Sequence, residues 1–105
     1  MQDKRYFKNH RGISIISTEF SYGGNEGLYE IAVLAWWEDK KGNKNHAIDY
    51  STEITDDVIG HLTIKDVEKI AKRIEKLSTR DNEKPNPLEL KSFIDYMLNE
   101  KKEEE

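Results

Sequence analysis

The segment from Leu28 to Trp37 limits the fold more than any other part of the chain. It reads LYEIAVLAWW, and in an extended strand alternate side chains point to opposite faces. One face would carry Tyr29, Ile31, Val33, Ala35 and Trp37, and the other Leu28, Glu30, Ala32, Leu34 and Trp36. Because both faces are largely apolar, the pattern predicts a central strand.

Two shorter segments predict neighbours for this strand. Residues Ile13 to Thr18 contain a β-branched run that is typical of a strand, and the glycine-rich segment SYGGNEG that follows predicts a hairpin loop. A polar turn around Gly42 predicts a second hairpin, with a third strand from His46 to Tyr50. The three strands would form an antiparallel meander.

Two helices are expected after the strands. Thr63 and Asp66 have the spacing of a capping box. The apolar positions that follow lie on one side of a helix, and they are Ile64, Val67, Ile70, Ala71, Ile74 and Leu77. Ile70 and Ile74 are expected in the core. Asn86 as cap and Pro87 in the first turn predict a second helix that buries Leu90, Phe93, Ile94, Met97 and Leu98.

The predicted fold class is therefore α+β: a three-stranded antiparallel β-meander followed by two α-helices packed on the sheet. A length of 105 residues fits a single domain. Residues 1–12 are expected to form a flexible basic leader, residues 13–100 the α+β domain, and residues 101–105 a frayed charged tail. Charged residues make up 36% of the chain, so the core is expected to be small.

Composition excludes several classes of site. Without cysteine the chain has no disulfide, thiolate nucleophile, iron–sulfur cluster or cysteine-ligated zinc. No apolar run approaches the roughly 20 residues that cross a bilayer, so we expect no membrane partner and a cytoplasmic location. The histidines at positions 10, 46 and 61 lack the spacing of a ligand pair. We therefore expect no metal, no cofactor and no enzymatic activity.

An acidic segment is the first candidate binding surface. Asp49, Glu53, Asp56 and Asp57 lie in a stretch without Lys or Arg. Three interpretations remain open for these carboxylates. Asp56 and Asp57 could stabilise a short helical turn through Val58, Ile59 and Leu62, the segment could meet a basic partner, or its carboxylates could form a divalent-metal or catalytic pair.

The first predicted helix carries a candidate surface of the opposite charge. Lys65, Lys69, Lys72 and Lys76 fall opposite its apolar side, together with Arg73. Several of these cations are four residues apart, a spacing that slightly destabilises an isolated helix. The stripe is either a solvated face or a contact surface for an acidic partner.

The second face of the central strand is a third candidate. If both helices cover the face that carries Ile31, then Leu34 and Trp36 remain as an exposed apolar patch. Such a patch is typical of a partner surface or of a homo-oligomer contact.

Two segments resemble a known group of proteins. SYGG followed by GLYEIAVL, at residues 21–34, and ITDDVIGHL, at residues 54–62, are similar to segments of small uncharacterised phage and prophage proteins of Gram-positive bacteria. The resemblance implies an accessory gene product that works in the cytoplasm of the bacterial host cell. It implies no catalytic residues.

We therefore expect a non-enzymatic phage-type accessory protein that binds and modulates a host or phage protein, for example as an anti-defence inhibitor. The alternative is a nucleic-acid-binding accessory domain that uses the basic leader and the first helix. The formal net charge of −4 neither predicts nor excludes a nucleic-acid ligand.

Overall fold

A computed structural model describes residues 1–55 and 57–85 of the chain. These residues form five strands, a short 3-10 turn at Gly24–Glu26 and one α-helix. The strands are β1 (Gln2–Tyr6), β2 (Arg11–Ile16), β3 (Tyr29–Glu38), β4 (Lys44–Ile48) and β5 (Ile59–Leu62), and the helix is α1 (Ile64–Glu75).

Strand β3 lies at the centre of one antiparallel sheet. Strand β2 pairs with one edge of β3, from Glu30 to Ala35, and β1 pairs with the outer edge of β2. The opposite edge of β3 is shared by two strands. There β5 pairs near Tyr29 and Ile31, while β4 pairs from Leu34 to Glu38. The prediction of a central strand is confirmed.

The α+β class is confirmed, but the predicted three-stranded meander with two helices is wrong. The described residues contain five strands and one α-helix. The predicted second helix and the charged tail at 101–105 lie outside the described residues, as does Asp56.

The two strands that the sequence did not predict, β1 and β5, lie in segments with little alternation of apolar and polar residues. Strand β1 is formed by residues of the expected flexible leader, and most of its side chains are exposed, so its residues show no apolar alternation. Strand β5 has only four residues and occupies the segment where a helical turn was one interpretation. Its pairing with β3 contains a register shift, and His61 there has a φ of 56°.

The predicted strands are present as β2, β3 and β4, with boundaries displaced by one or two residues. Both predicted hairpins also form. Gly42 in the second hairpin has a φ of 81°, and Gly23 and Gly27 in the first have φ values of 87° and 74°. These left-handed conformations favour glycine, which explains the glycines in both loops.

The core lies between α1 and one face of β2 and β3. It consists of Ile13 and Ile15 of β2, Ile31 and Val33 of β3, and Val67, Ala71 and Ile74 of α1. Ile74 is 0% exposed, so its predicted place in the core is confirmed. Ile70 is only partly buried and packs at the edge of this cluster.

Both ends of α1 are held by side chains. At the first turn, Thr63 Oγ1 accepts a hydrogen bond from Asp66 N at 3.2 Å, and Asp66 Oδ2 accepts one from Thr63 N at 3.0 Å. This confirms the predicted capping box. The backbone hydrogen bond from Thr63 also lowers the pKa of Asp66 below its ordinary value. The carboxylate is therefore stabilised in its charged form.

At the other end of α1, the buried side chain of Asn9 replaces the missing backbone donors. Its Nδ2 donates to the carbonyl oxygen of Ile74 at 2.8 Å and lies 3.2 Å from those of Glu75 and Leu77. Asn9 belongs to the turn between β1 and β2. The end of the helix is therefore fixed to the sheet by one amide group.

Replacing Ile74 with alanine should destabilise the domain far more than the same change at Ile64. Ile74 is fully buried, whereas Ile64 is 49% exposed in the same helix. We expect Ile74→Ala to lower the free energy of unfolding by about 2 to 5 kcal/mol. Ile64→Ala should cost less than about 1 kcal/mol. Urea denaturation of both variants measures the difference, and equal losses would contradict the packing of α1.

Candidate functional site

Leu34 and Trp36 are buried, so the apolar patch expected on the second face of β3 is not exposed. Leu34 is 1% exposed and Trp36 is 9% exposed. The ring of His10 stacks on Trp36 with 4.4 Å between centroids, and Trp36 Nε1 donates to Phe7 O at 2.7 Å. Because the turn between β1 and β2 folds over Trp36, its indole serves packing, and the expectation of a partner surface there is wrong.

Other side chains gather around Trp36. The Tyr6 hydroxyl is hydrogen-bonded to His46 Nδ1 at 3.0 Å, and Lys44 Nζ lies 5.2 Å from the centre of the Trp36 ring. Sequence reasoning missed this cluster, because β1, β4 and the turn at His10 are distant along the chain. Among the residues that the structure describes, no three His, Cys, Asp or Glu side chains are placed to hold a metal ion. The cluster's contacts are those of aromatic packing and a cation over a ring.

The described carboxylates of the acidic segment make different contacts. The Asp49 carboxylate accepts a hydrogen bond from Arg11 Nη1 at 3.3 Å and another from Ser51 N at 2.8 Å. The side chains of Arg11 and Asp49 are 15% and 12% exposed, so this ion pair is largely shielded from water. Asp49, directly after β4, is therefore paired across β3 with Arg11 at the start of β2, which leaves little of its charge for a partner.

Glu53 and Asp57, the other acidic candidates among the described residues, are both exposed. The Asp57 carboxylate accepts a hydrogen bond from the backbone of Val58 at 2.8 Å. Glu53 instead lines a groove of about 410 Å³ together with Lys76, which is another predicted site residue. Arg11 and Ser78 contribute to the same groove, whose charges are therefore mixed.

The basic stripe of α1 is exposed as predicted. Lys65, Lys69, Lys72 and Lys76 all face solvent, as does Arg73. The neighbouring Glu68 is engaged by β1, because Arg5 Nη2 lies 2.9 Å from Glu68 Oε1. This hydrogen bond from Arg5 lowers the pKa of Glu68. The stripe therefore remains a candidate contact surface.

A further surface lies at one end of the sheet and was not predicted. Four of the five large hydrophobic side chains that are exposed in the described residues are at this end: Met1, Phe20, Tyr22 and Ile64. Phe20 is 91% exposed and Tyr22 is 64% exposed. We call this surface, formed by Met1, the loop at residues 18–27 and Ile64, the loop end.

The topology brings these side chains to the same end. Met1 is hydrogen-bonded to the backbone of Ser17 at the end of β2, with Ser17 N to Met1 O at 2.9 Å. His61 N of β5 donates to Tyr22 O at 3.1 Å. Ile64 follows β5 directly at the start of α1. Residues that are distant in the sequence therefore meet around the loop.

The loop at 18–27 is held in one conformation by its own hydrogen bonds. Ser21 Oγ accepts from Thr18 N at 2.9 Å, Gly24 N donates to Ser21 O at 3.0 Å, and Leu28 N donates to Gly23 O at 2.9 Å. A side chain at Gly24 would collide with Thr18 O, since its Cβ would lie 1.6 Å away. The aromatic side chains of the loop are therefore displayed on a fixed backbone.

The sequence contains a modest signal for the loop end. Phe20 and Tyr22 stand in a polar, glycine-rich segment between two strands, where an aromatic side chain has no place in the apolar pattern of either strand. Their exposure could not be read from this position alone, since loop aromatics also fold back onto cores.

Comparisons with known proteins identified no similar protein. A scan against protein-family models, a search of curated proteins and a search of solved structures each gave no match. Within the described part of the chain, no helix is long and apolar enough to span a membrane. The exposed surfaces of the described residues are therefore the basis for a functional proposal.

Replacing Trp36 with phenylalanine should lower stability more than the same change at Trp37. Trp36→Phe removes the donor to Phe7 O, and we expect a loss of about 1 to 3 kcal/mol. Trp37 lies on the opposite face and is less buried, so Trp37→Phe should cost less than about 1 kcal/mol. Guanidinium denaturation of both variants tests this difference. If Trp36→Phe were neutral, the proposed role of the indole in fixing the turn would be wrong.

Proposed function

We propose that this chain is a non-enzymatic accessory protein of a phage or prophage, which binds a host or phage protein through the loop end and modulates it. The observation that carries the proposal is the display of Phe20, 91% exposed, on a loop whose backbone is fixed by hydrogen bonds. The phage setting is supported by the resemblance of the segments at 21–34 and 54–62.

Physical chemistry favours a protein partner for such a surface. Exposed apolar groups that cluster at one place on a small domain are typical of interaction sites. Aromatic side chains dominate the binding energy of protein interfaces, where they fill pockets of the partner. Because the loop is already ordered, little conformational entropy is lost when Phe20 is buried. Phe20 is the anchor of the proposed interface, and Tyr22 and Ile64 are exposed at the same end of the sheet.

The alternative function, nucleic-acid binding, is supported by the exposed cations of α1. The leader contributes less to it than its composition suggests. Arg5 is paired with Glu68, and Arg11 is paired with Asp49. Only Lys4 and Lys8 of the leader's cations remain exposed. Lysines on one helix favour phosphate contacts without sequence recognition.

Replacing Phe20 with serine should abolish partner binding and spare the fold. Purified parent protein would be used to retain partners from nuclease-treated bacterial lysate, in parallel with Phe20→Ser and Ile48→Ser. Ile48 is the matched control, because it is an exposed hydrophobic residue on β4, outside the loop end. We expect proteins retained by the parent and by Ile48→Ser to be lost with Phe20→Ser. The free energy of unfolding of Phe20→Ser should change by less than about 0.5 kcal/mol. If Phe20→Ser retained the same proteins as the parent, the proposal would be overturned.

Removing the cations of α1 tests the alternative function. Lys65, Lys69, Lys72 and Lys76 would be replaced together with Gln, and binding to random duplex and single-stranded DNA measured at two salt concentrations. If the alternative is correct, the parent protein should lose affinity steeply with added salt because counterions are released. The variant should then bind weakly at either concentration. Absence of binding by the parent at low salt would exclude this alternative.

A further inference from the structure

We infer that the partner bound at the loop end presents a basic surface, in which Lys or Arg side chains surround an apolar pocket for Phe20. This inference rests on the proposed function and adds the chemistry of the partner. It follows from the distribution of charge around the exposed aromatic side chains.

The chain segments that build the loop end contain almost no cations. No Lys or Arg occurs between Arg11 and Lys40, or between Lys44 and Lys65. These two segments supply β3, β5 and the loop at 18–27. Within the loop, Glu19 and Glu26 are both exposed, and no cationic side chain is present. The charged side chains of the loop that carries Phe20 are therefore all acidic.

Most of the other described cations lie away from the loop or are hydrogen-bonded within the protein. The exceptions are Lys65 and the N-terminal ammonium of Met1, which lies at the loop end and donates to Ser17 O at 2.8 Å. Lys69, Lys72 and Lys76 follow one another along α1, away from its first turn at the loop end. Arg80 is bound to the turn between β1 and β2, where its Nη1 lies 3.2 Å from His10 O. Lys65, in the first turn of α1, is the nearest exposed cation to Ile64 in the sequence. The loop at residues 18–27 thus carries only acidic charge beside its apolar side chains, while α1 beyond its first turn carries several exposed lysines.

This separation of charge selects the partner. A surface with matching negative charge would be repelled by Glu19 and Glu26, whereas a basic rim around an apolar pocket would attract them. Phosphate groups are disfavoured beside Glu19 and Glu26 for the same reason, since nucleic acid would bring further negative charge. Such carboxylates at the edge of an interface mainly accelerate association and select the partner, while the buried aromatic side chain supplies most of the affinity.

A random-peptide display library tests the chemistry directly. The parent protein, Phe20→Ser and the double variant Glu19→Gln with Glu26→Gln would each be used for selection at low and at physiological salt. A second double variant, Glu38→Gln with Glu83→Gln, removes the same number of exposed carboxylates away from the loop end and is the matched control. Affinities of selected peptides would then be measured for all four proteins.

We expect the parent and the control to select peptides in which Lys or Arg flank an aromatic or aliphatic residue. These peptides should bind the Glu19→Gln, Glu26→Gln variant about 3- to 10-fold more weakly at low salt, and the difference should shrink at higher salt. Phe20→Ser should bind none of them.

The other outcomes separate the two proposals. Peptides that depend on Phe20 but carry no basic residues, or that bind the Glu19→Gln, Glu26→Gln variant unchanged, would overturn the basic partner and leave the proposed function in place. If no selected peptide depends on Phe20, the proposed function itself fails. A second copy of the chain could also bind at the loop end, and sedimentation of the parent protein alone tests this. A dimer that forms with the parent and is lost with Phe20→Ser would also overturn the inference.

Discussion

Strand β3 must be covered on both edges and both faces, and the rest of the structure is arranged to meet that requirement. Its backbone groups are paired by β2 on one edge and by β4 and β5 on the other. On one face its isoleucine and valine side chains pack against α1, and on the other face Leu34 and Trp36 are also buried. A strand this apolar is stable only at the centre of a sheet, because exposure of either face would leave large hydrophobic side chains in water.

The turn between β1 and β2 joins the two sides of that sheet. The Asn9 side chain holds the carbonyl end of α1 on one side, while the ring of His10 stacks on Trp36 on the other. His10 adopts a φ of 61°, an uncommon conformation for a residue with a side chain. Its carbonyl oxygen accepts from Trp36 N at 3.0 Å and from Arg80 Nη1 at 3.2 Å, and these bonds stabilise the turn. The leader is therefore a structural element of the fold, and two of its arginines are committed to intramolecular ion pairs.

Opposite this turn, the most exposed aromatic side chain of the described residues has no role in packing. Phe20 contributes nothing to the core at 91% exposure, yet its loop is ordered by backbone and serine hydrogen bonds. Ordering a loop costs conformational entropy, and its glycines add to that cost. A functional surface explains this entropic cost better than stability does, and the carboxylates of the loop are the basis for the inferred basic partner.

The sequence by itself determined the central strand, its two hairpins and α1 with its cap, because these features are encoded by local periodicity and by capping and turn residues. It could not show that an unpatterned leader forms β1, or that the short segment after Asp57 pairs with β3, since edge and bulged strands carry little apolar alternation. Only the tertiary structure decided the candidate site. It buried Trp36 under a turn, engaged Asp49 with Arg11, and brought Met1, Phe20 and Ile64 to one end of the sheet. Exposure and charge pairing depend on contacts between distant residues, and these contacts have no signature in local sequence.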